Sequence, residues 1–315
     1  MNKPVKTKRS SSAVREQRAA YLFLIPAFLG LSLITYIPLL AAFGIGFTNL
    51  RTGHFIKGGT LGSPRLIGFE NFIDIFKNPQ VDFLNSIGVT VYYALIAVAG
   101  SIIYSMFIAV LLNRKMPARG FFRAIFYIPY ILPSTATMIG WRFLLQQQPV
   151  GVFNYVIGNF LHLPKVNFLS DSRYVIPTLA FIAIWASGNL IVIFLAGLQN
   201  VPRVYHEAAE VDGANSWVRF WRITIPCMSP IIFFNLLMSL VASLQVVVPA
   251  LAVTKGGPGS SSMFMSFLMY QTAFINMDLG KAGAIAFVFF IVAAILAFIL
   301  FATSGRWIFY GGDEV

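Results

Sequence analysis

Charge is scarce in this chain. Of 315 residues, 11% are Asp, Glu, Lys or Arg, where soluble domains carry roughly 25%. A water-soluble core for the 57% of residues that are hydrophobic would need a far larger polar shell, so the deficit excludes an ordinary soluble domain and indicates an integral membrane protein. Cysteine is almost missing. The single Cys227 excludes an internal disulfide and any all-cysteine metal site, and in its apolar run it reads as an inert small hydrophobe. Catalytic signatures are absent as well. There is no P-loop, hence no phosphate cradle of the usual kind for ATP, and there is no HExxH or GxSxG. The three histidines, His54, His162 and His206, lie in expected loops without ligand spacing. No enzyme, metal site or cofactor is expected of this chain. Acidic residues are few, 11 against 23 Lys and Arg. A basic excess can mark nucleic-acid binding, but basic residues also accumulate in cytoplasmic loops of membrane proteins. With 15% aromatics held in apolar runs, the second reading applies and no nucleic-acid partner is expected.

What the chain does have is long apolar runs. About 20 helical residues cross the ~30 Å of bilayer hydrocarbon. Six stretches qualify: Tyr21–Phe47, Leu84–Leu112, Phe121–Leu145, Val175–Gly197, Ser229–Val253 and Ala282–Ser304. The expected fold class is therefore an all-α membrane protein with six transmembrane helices. Pro26, Pro38, Pro129, Pro133 and Pro249 fall inside these runs, where neighbouring helices or water can satisfy the freed carbonyls. The first run is too long for a signal-peptide core and reads as a retained helix. Orientation follows from Lys and Arg. With the N-terminus inside, the cytoplasmic segments hold 14 of the 23, including Lys3, Lys6, Lys8, Arg9, Arg15 and Arg18 before the first run and Arg114, Lys115, Arg119 and Arg123 after the second. Both termini are then cytoplasmic. The division is a basic tail over 1–19, a six-span domain over 20–304 with a cytoplasmic loop at about 200–226, and a short tail over 305–315. Three outer loops, Asn49–Phe83, Asn154–Arg173 and Lys255–Lys281, are too short for domains and suit a vestibule or a docking surface.

The middles of the runs hold no Asp, Glu, Lys or Arg. Such groups usually mark ion or proton coupling, so their lack counts against an ion-driven transporter working alone. Neutral polar groups are present instead: Tyr130, Ser134, Thr135 and Thr137 around Pro133; Trp185, Ser187 and Asn189 in the fourth run; Ser239, Ser243 and Gln245 in the fifth. Any one of these can be interhelical glue. As a set, hydroxyls, an amide and flat rings suit the hydroxyls and C–H faces of a neutral sugar.

One polar island interrupts the apolar sequence, "EAAEVDGANSWVRFWRITIP" at Glu207–Pro226. Asn200 and Pro202 offer an N-cap and a first-turn proline for a helix over Val204–Val211. Asp212-Gly213 supplies a turn, and Ser216 can cap a second short helix bearing Trp217, Phe220 and Trp221. The island can be a mere amphipathic connection, or a knob that enters another protein's groove.

The spacing of Glu207, Ala208, Ala209, Gly213, Ile223, Ile225 and Pro226 resembles the EAA signature of the membrane subunits of bacterial ABC importers, with Ile225 where leucine is common. "LQNVP", "TKGGP" at Thr254–Pro258, "FENF" at Phe69–Phe72 and "FRAIFYIPYILP" at Phe122–Pro133 resemble the carbohydrate class, and the likeness to its maltose-type first permeases runs from about Ala20 to Ser304. It implies a type I ABC importer permease fold in the bacterial cytoplasmic membrane. It also implies that Glu207, Ala208, Ala209, Asp212 and Gly213 couple to a dimeric cytoplasmic ATPase, which holds the ATP and Mg. A second related permease subunit and an extracytoplasmic sugar-binding protein are the further partners, beside membrane lipid. Tyr130, Ser134, Trp185, Asn189, Ser239 and Ser243 match sugar-contacting positions of that class, whereas Ala242 and Val246 stand where it has an aromatic ring and an amide. A permease of the same family for another solute, such as glycerol-3-phosphate, and a secondary transporter or channel that works alone are the alternatives; the lack of mid-run Lys or Arg counts against the first.

Overall fold

The computed structural model describes residues 11–55, 63–147 and 151–309. Lys3, Lys6, Lys8 and Arg9 of the expected tail, 56–62 of the first outer loop and 310–315 of the second tail lie outside the described residues. The regular elements described are all helical, and only two isolated bridges, Thr48 with Leu66 and Arg51 with Asp278, join extended segments.

Four helices are long and apolar enough to cross a membrane. The first is α1 (Ser11–Leu31) continued by α2 (Ile37–Ile45); its helix begins inside the stretch expected to be tail. Further along come α4 (Phe83–Asn113), α12 (Ile225–Leu244) and α14 (Leu279–Ser304). Helices α8 (Val175–Trp185) and α9 (Gly188–Asn200) make a fifth if counted together, since they meet at a 50° bend. The third expected run is two helices, α5 (Arg119–Ile131) and α6 (Ser134–Leu145). Pro133 supplies no N–H, and Leu132 before it is extended (φ −65°, ψ 140°).

Two prolines are absorbed without a break. A π-helical turn at Ser32–Tyr36 precedes Pro38, and another at Phe220–Thr224 precedes Pro226. In each the ladder widens by one residue, so that Ile37 N–H reaches Ser32 and Ile225 N–H reaches Phe220. The second turn changes the expected outline. Rather than a separate short helix followed by a span at Ser229, α11 (Ser216–Arg219) runs on into α12 as one 29-residue helix, Ser216–Leu244. That helix also stops short of the expected Val253; Gln245 caps it, and a further π-helical turn occupies Ala250–Thr254.

Helix α4 is the central element and packs against α8, α9, α12 and α13 (Met265–Tyr270). Toward one end Tyr93 and Ala97 meet Trp141, Leu179 and Phe264; toward the other Ala109 and Leu112 meet Phe194 and Met228. Helix α3 (Glu70–Lys77) lies against α14, where Lys281 Nζ is 2.6 Å from Asp74 Oδ2. That bond holds the Asp74 carboxyl below its ordinary range, against the opposing effect of burial. Helices α2 and α14 touch backbone to backbone: a Cβ on Gly283 would lie 2.7 Å from Gly46 N, so only glycine allows this approach. In contrast, none of the apolar stretch Ala19–Ile45 is buried. At the other end, Phe309 N–H donates to Ser229 Oγ at 2.7 Å and Trp307 packs on Phe233. The expected C-terminal tail is thus docked on α12 as far as residue 309.

Candidate functional site

A cavity of about 280 Å³ opens between α4, α5, α8–α9 and α12. Four of the six expected pathway residues, Tyr130, Asn189, Ser239 and Ser243, line it together, and so do Ala242 and Val246. The Ser243 hydroxyl donates to the Leu240 carbonyl at 2.8 Å. The side chains of Tyr130, Asn189 and Ser239 have no hydrogen-bond partner among the described residues, so their polar groups stay available. No charged side chain among the described residues lines the cavity.

Ser134 and Trp185 are not brought into it. The Leu132–Pro133 break starts a new helix at Ser134, so Tyr130 and Ser134 no longer stack as neighbours one turn apart, and Ser134 is exposed. Trp185 ends α8 and packs edge-on against Trp141, ring centroids 5.3 Å apart. Its role is in the core beside the cavity.

The bend between α8 and α9 positions Asn189. No proline causes it. The Ser187 hydroxyl donates to the Ile184 carbonyl at 2.6 Å and competes with the helical ladder. The Ser105 hydroxyl of α4 reaches Ser187 Oγ at 3.0 Å, tying the bend to the central helix. Gly188 then lets α9 close on α5, because a Cβ there would lie 2.5 Å from the Phe126 carbonyl oxygen.

Sequence reasoning missed the α4 wall. Ser86, Thr90, Tyr93, Ser101 and Ser105 recur at helical spacing along α4, a polar stripe within an otherwise apolar run. Tyr93 and Ser101 of this stripe line the cavity. The periodicity was the available signal.

A second cavity, of about 470 Å³, lies at the end of α6 among Arg142, Gln146, Gln147, Asn167, Ser170 and Thr254. It joins two of the expected outer loops. Its neighbour α7 (Val152–Asn159) is held by Asn154, whose buried side chain bonds the carbonyls of Leu145 and Val166.

The polar island forms a protruding loop. Its first arm is α10 (Arg203–Val211), which buries no residue. Pro202, not Asn200, is the N-cap; Asn200 still belongs to α9. At the other end Gly213 takes φ +78°, its N–H bonds the Glu210 carbonyl (3.1 Å) and Ala214 N–H bonds the Ala209 carbonyl (2.8 Å). This is a Schellman termination, which wants a left-handed residue and therefore glycine. Asn215, rather than Ser216, caps α11 by accepting from Val218 N–H at 2.9 Å. Glu210 and Arg219 pair across the turn. Glu207, Ala208, Asp212 and Gly213 are exposed and Ala209 is half-buried. Val204, Ala208 and Val211 form an exposed small apolar stripe, with Val211 88% exposed. No three His, Cys, Asp or Glu gather where a metal could sit among the described residues.

Residues 101–310 match the family described as "Binding-protein-dependent transport system inner membrane component". A probable ABC transporter permease protein, YesP of Bacillus subtilis (strain 168), is 33% identical over 310 residues, covering 98% of this chain and 97% of that one. The multiple sugar-binding transport system permease protein MsmF of Streptococcus mutans serotype c is 29% identical over 247 residues, covering 76% and 82%. Among solved structures, a chain of a bacterial alginate ABC transporter, in complex with an alginate pentasaccharide-bound periplasmic protein, superimposes with a TM-score of 0.77 at 21% identity, over 95% of this chain and 98% of that one.

Proposed function

The chain belongs to the binding-protein-dependent transport system inner membrane components, and we propose that it is a permease subunit of an ATP-driven importer for a carbohydrate, most simply a di- or oligosaccharide. In this reading the chain crosses the bacterial cytoplasmic membrane six times, α5–α6 and α8–α9 each serving as one broken span, with both termini in the cytoplasm. The excess of Lys and Arg on that side supports the orientation. The sugar passes through the cavity lined by Tyr130, Asn189, Ser239 and Ser243. At about 280 Å³ it falls just below the roughly 300 to 1,000 Å³ of ligand sites, as expected if a second permease subunit completes the path.

The observation that carries the proposal is the α10–Gly213 turn. An exposed helix with an apolar stripe of small side chains, terminated by a rigid left-handed glycine, is built to be covered. A dimeric cytoplasmic ATPase is the partner that fits the family. Glu207, Ala208, Ala209, Asp212 and Gly213 then form the contact that passes its closure to the membrane helices, and ATP and Mg sit on that partner. An extracytoplasmic sugar-binding protein delivers the solute. The likeness to relatives named for sugar transport supports the substrate class.

Affinity purification of the tagged chain from its native membrane tests the proposal. An ATPase subunit and a second permease should co-purify, and Val211→Arg should release the ATPase while leaving the second permease bound. Purification of the chain alone, with uptake driven by an ion gradient, would contradict it.

A further inference from the structure

The polar stripe on α4 divides into two kinds of residue. Ser86, Thr90 and Ser105 are fully buried and satisfied: Ser86 donates to the Phe83 carbonyl (2.6 Å), Thr90 donates to the Ser86 carbonyl (2.7 Å) and accepts from Met265 N–H (2.9 Å), and Ser105 pairs with Ser187. Tyr93 and Ser101 are only 4% and 8% exposed, yet neither hydroxyl has a hydrogen-bond partner among the described residues. Both line the cavity that holds Tyr130, Asn189 and Ser239.

That contrast is informative. Among the described residues Arg123 Nε and Thr137 Oγ1 are buried polar atoms without a hydrogen-bond partner; the Tyr93 and Ser101 oxygens are not of that kind, so each hydroxyl opens to the cavity while the rest of its side chain is buried, and each stays free to bond a ligand. The positions are also well placed for one ligand. Residues 93, 97 and 101 lie one above another on a single face of α4, and Ala97 between them keeps that face low enough for a ring to rest on. The Tyr93 ring is fixed edge-on against Phe264, centroids 5.1 Å apart, which sets the direction of its hydroxyl.

We infer that Tyr93 and Ser101 form a specificity-determining wall that hydrogen-bonds the transported solute across from Asn189 and Ser239. The inference rests on the reading that the solute path runs through this cavity. It narrows the solute class to uncharged, hydroxyl-rich molecules. A tyrosine hydroxyl can both donate and accept, as a sugar hydroxyl requires. A carboxylate or phosphate would meet no counter-charge from the described residues, since no Lys, Arg or His among them lines the cavity and an unpaired charge in such a site is strongly disfavoured.

Two measurements on the assembled transporter test this. The first is independent of solute identity. In a Cys227→Ser background, Ser101→Cys should react with a water-soluble methanethiosulfonate at least about tenfold faster than Ala94→Cys, a buried position on the same helix that does not line the cavity. Equal rates would overturn the inference, because the wall would then face no aqueous path. The second uses radiolabelled maltotriose and raffinose as neutral probes in proteoliposomes. Tyr93→Phe should raise the KM for the transported trisaccharide about tenfold, the effect of one lost hydrogen bond, with the maximal rate unchanged. It should also weaken discrimination against a deoxy analogue. Wild-type KM and wild-type discrimination in that variant would overturn the inference even if Ser101→Cys is labelled. If the wild-type complex carries neither trisaccharide, the sugar reading loses its support, and the labelling ratio alone decides whether α4 faces the path.

Discussion

Glu210 and Arg219 stand 3.1 Å apart on opposite sides of the Gly213 turn, with the Arg219 side chain 20% exposed and that of Glu210 67% exposed. The pair ties the end of α10 to the start of the long helix that becomes α12. The Schellman bonds fix the same turn through the backbone. A force applied to α10 therefore has two routes into α12, one ionic and one through the main chain.

These routes differ in strength. An exposed ion pair contributes about 0–1 kcal/mol and is screened by salt. Glu210→Gln or Arg219→Gln should lower uptake less than about threefold. The loss should shrink further at 0.5 M salt, as counted by initial rates of solute accumulation.

Within the cavity, the available polar groups and the packed ones should separate by phenotype. Asn189→Ala and Ser239→Ala should each raise KM several-fold, about 1 kcal/mol for a lost hydrogen bond, with normal amounts of assembled complex. Trp185→Ala should do the reverse. Its loss removes the edge-on contact with Trp141, worth about 0.5–1.5 kcal/mol beyond area burial, so assembly and thermal stability should fall while the KM of the surviving complex stays near wild type. Solute-concentration series and thermal unfolding of the solubilised complex read the two effects.

Much of this was legible in the chain and some was not, for identifiable reasons. The long apolar runs located α4 and α14 to within a few residues, because hydrophobic length is a local property, whereas the fifth run was displaced: its helix begins at Ser216 and ends at Leu244, short of the expected Val253. Pro133 announced a weak point in the third run, yet only the structure shows α5 ending at Ile131 and a separate helix starting at Ser134. The bend at Ser187 has no proline signal at all; it arises from a hydroxyl that meets Ser105, 82 positions away in the chain. Gly213 was readable as a turn residue, and the structure adds why it must be glycine. Asn215 and Ser216 are both good caps by composition, and the actual choice depends on where the π-helical turn sets the register of α11. The α4 wall went unread because its serines are spread thinly through an apolar run, and which of them face a cavity depends on α8, α9 and α12.

The Asp74–Lys281 pair sets a pH expectation. Because the Lys281 bond lowers the Asp74 pKa below its ordinary value of 3.8, its contribution to stability is fully present above that value and is lost as pH falls below it through the folded pKa. Between pH 5 and 8 this group should leave stability unchanged. Asp74→Asn should lower the unfolding temperature at pH 7 by roughly 2 °C or less, as befits a partly exposed pair. The difference from wild type should vanish in strongly acid solution. Thermal unfolding of the solubilised complex across pH provides the check.

The most direct measurement is ATP-driven uptake in proteoliposomes holding this chain with the proposed second permease, ATPase and binding protein, compared between wild type and Gly213→Val. A β-branched residue at φ +78° costs about 1–3 kcal/mol of local strain, and because open space surrounds Gly213 the variant should still assemble. The account predicts that wild type accumulates sugar only when ATP reaches the ATPase. Gly213→Val should retain the bound ATPase yet lose more than about tenfold of uptake, the effect of misplacing the turn that links α10 to α12. Wild-type uptake by the variant, or accumulation driven by an ion gradient without ATP, would contradict it.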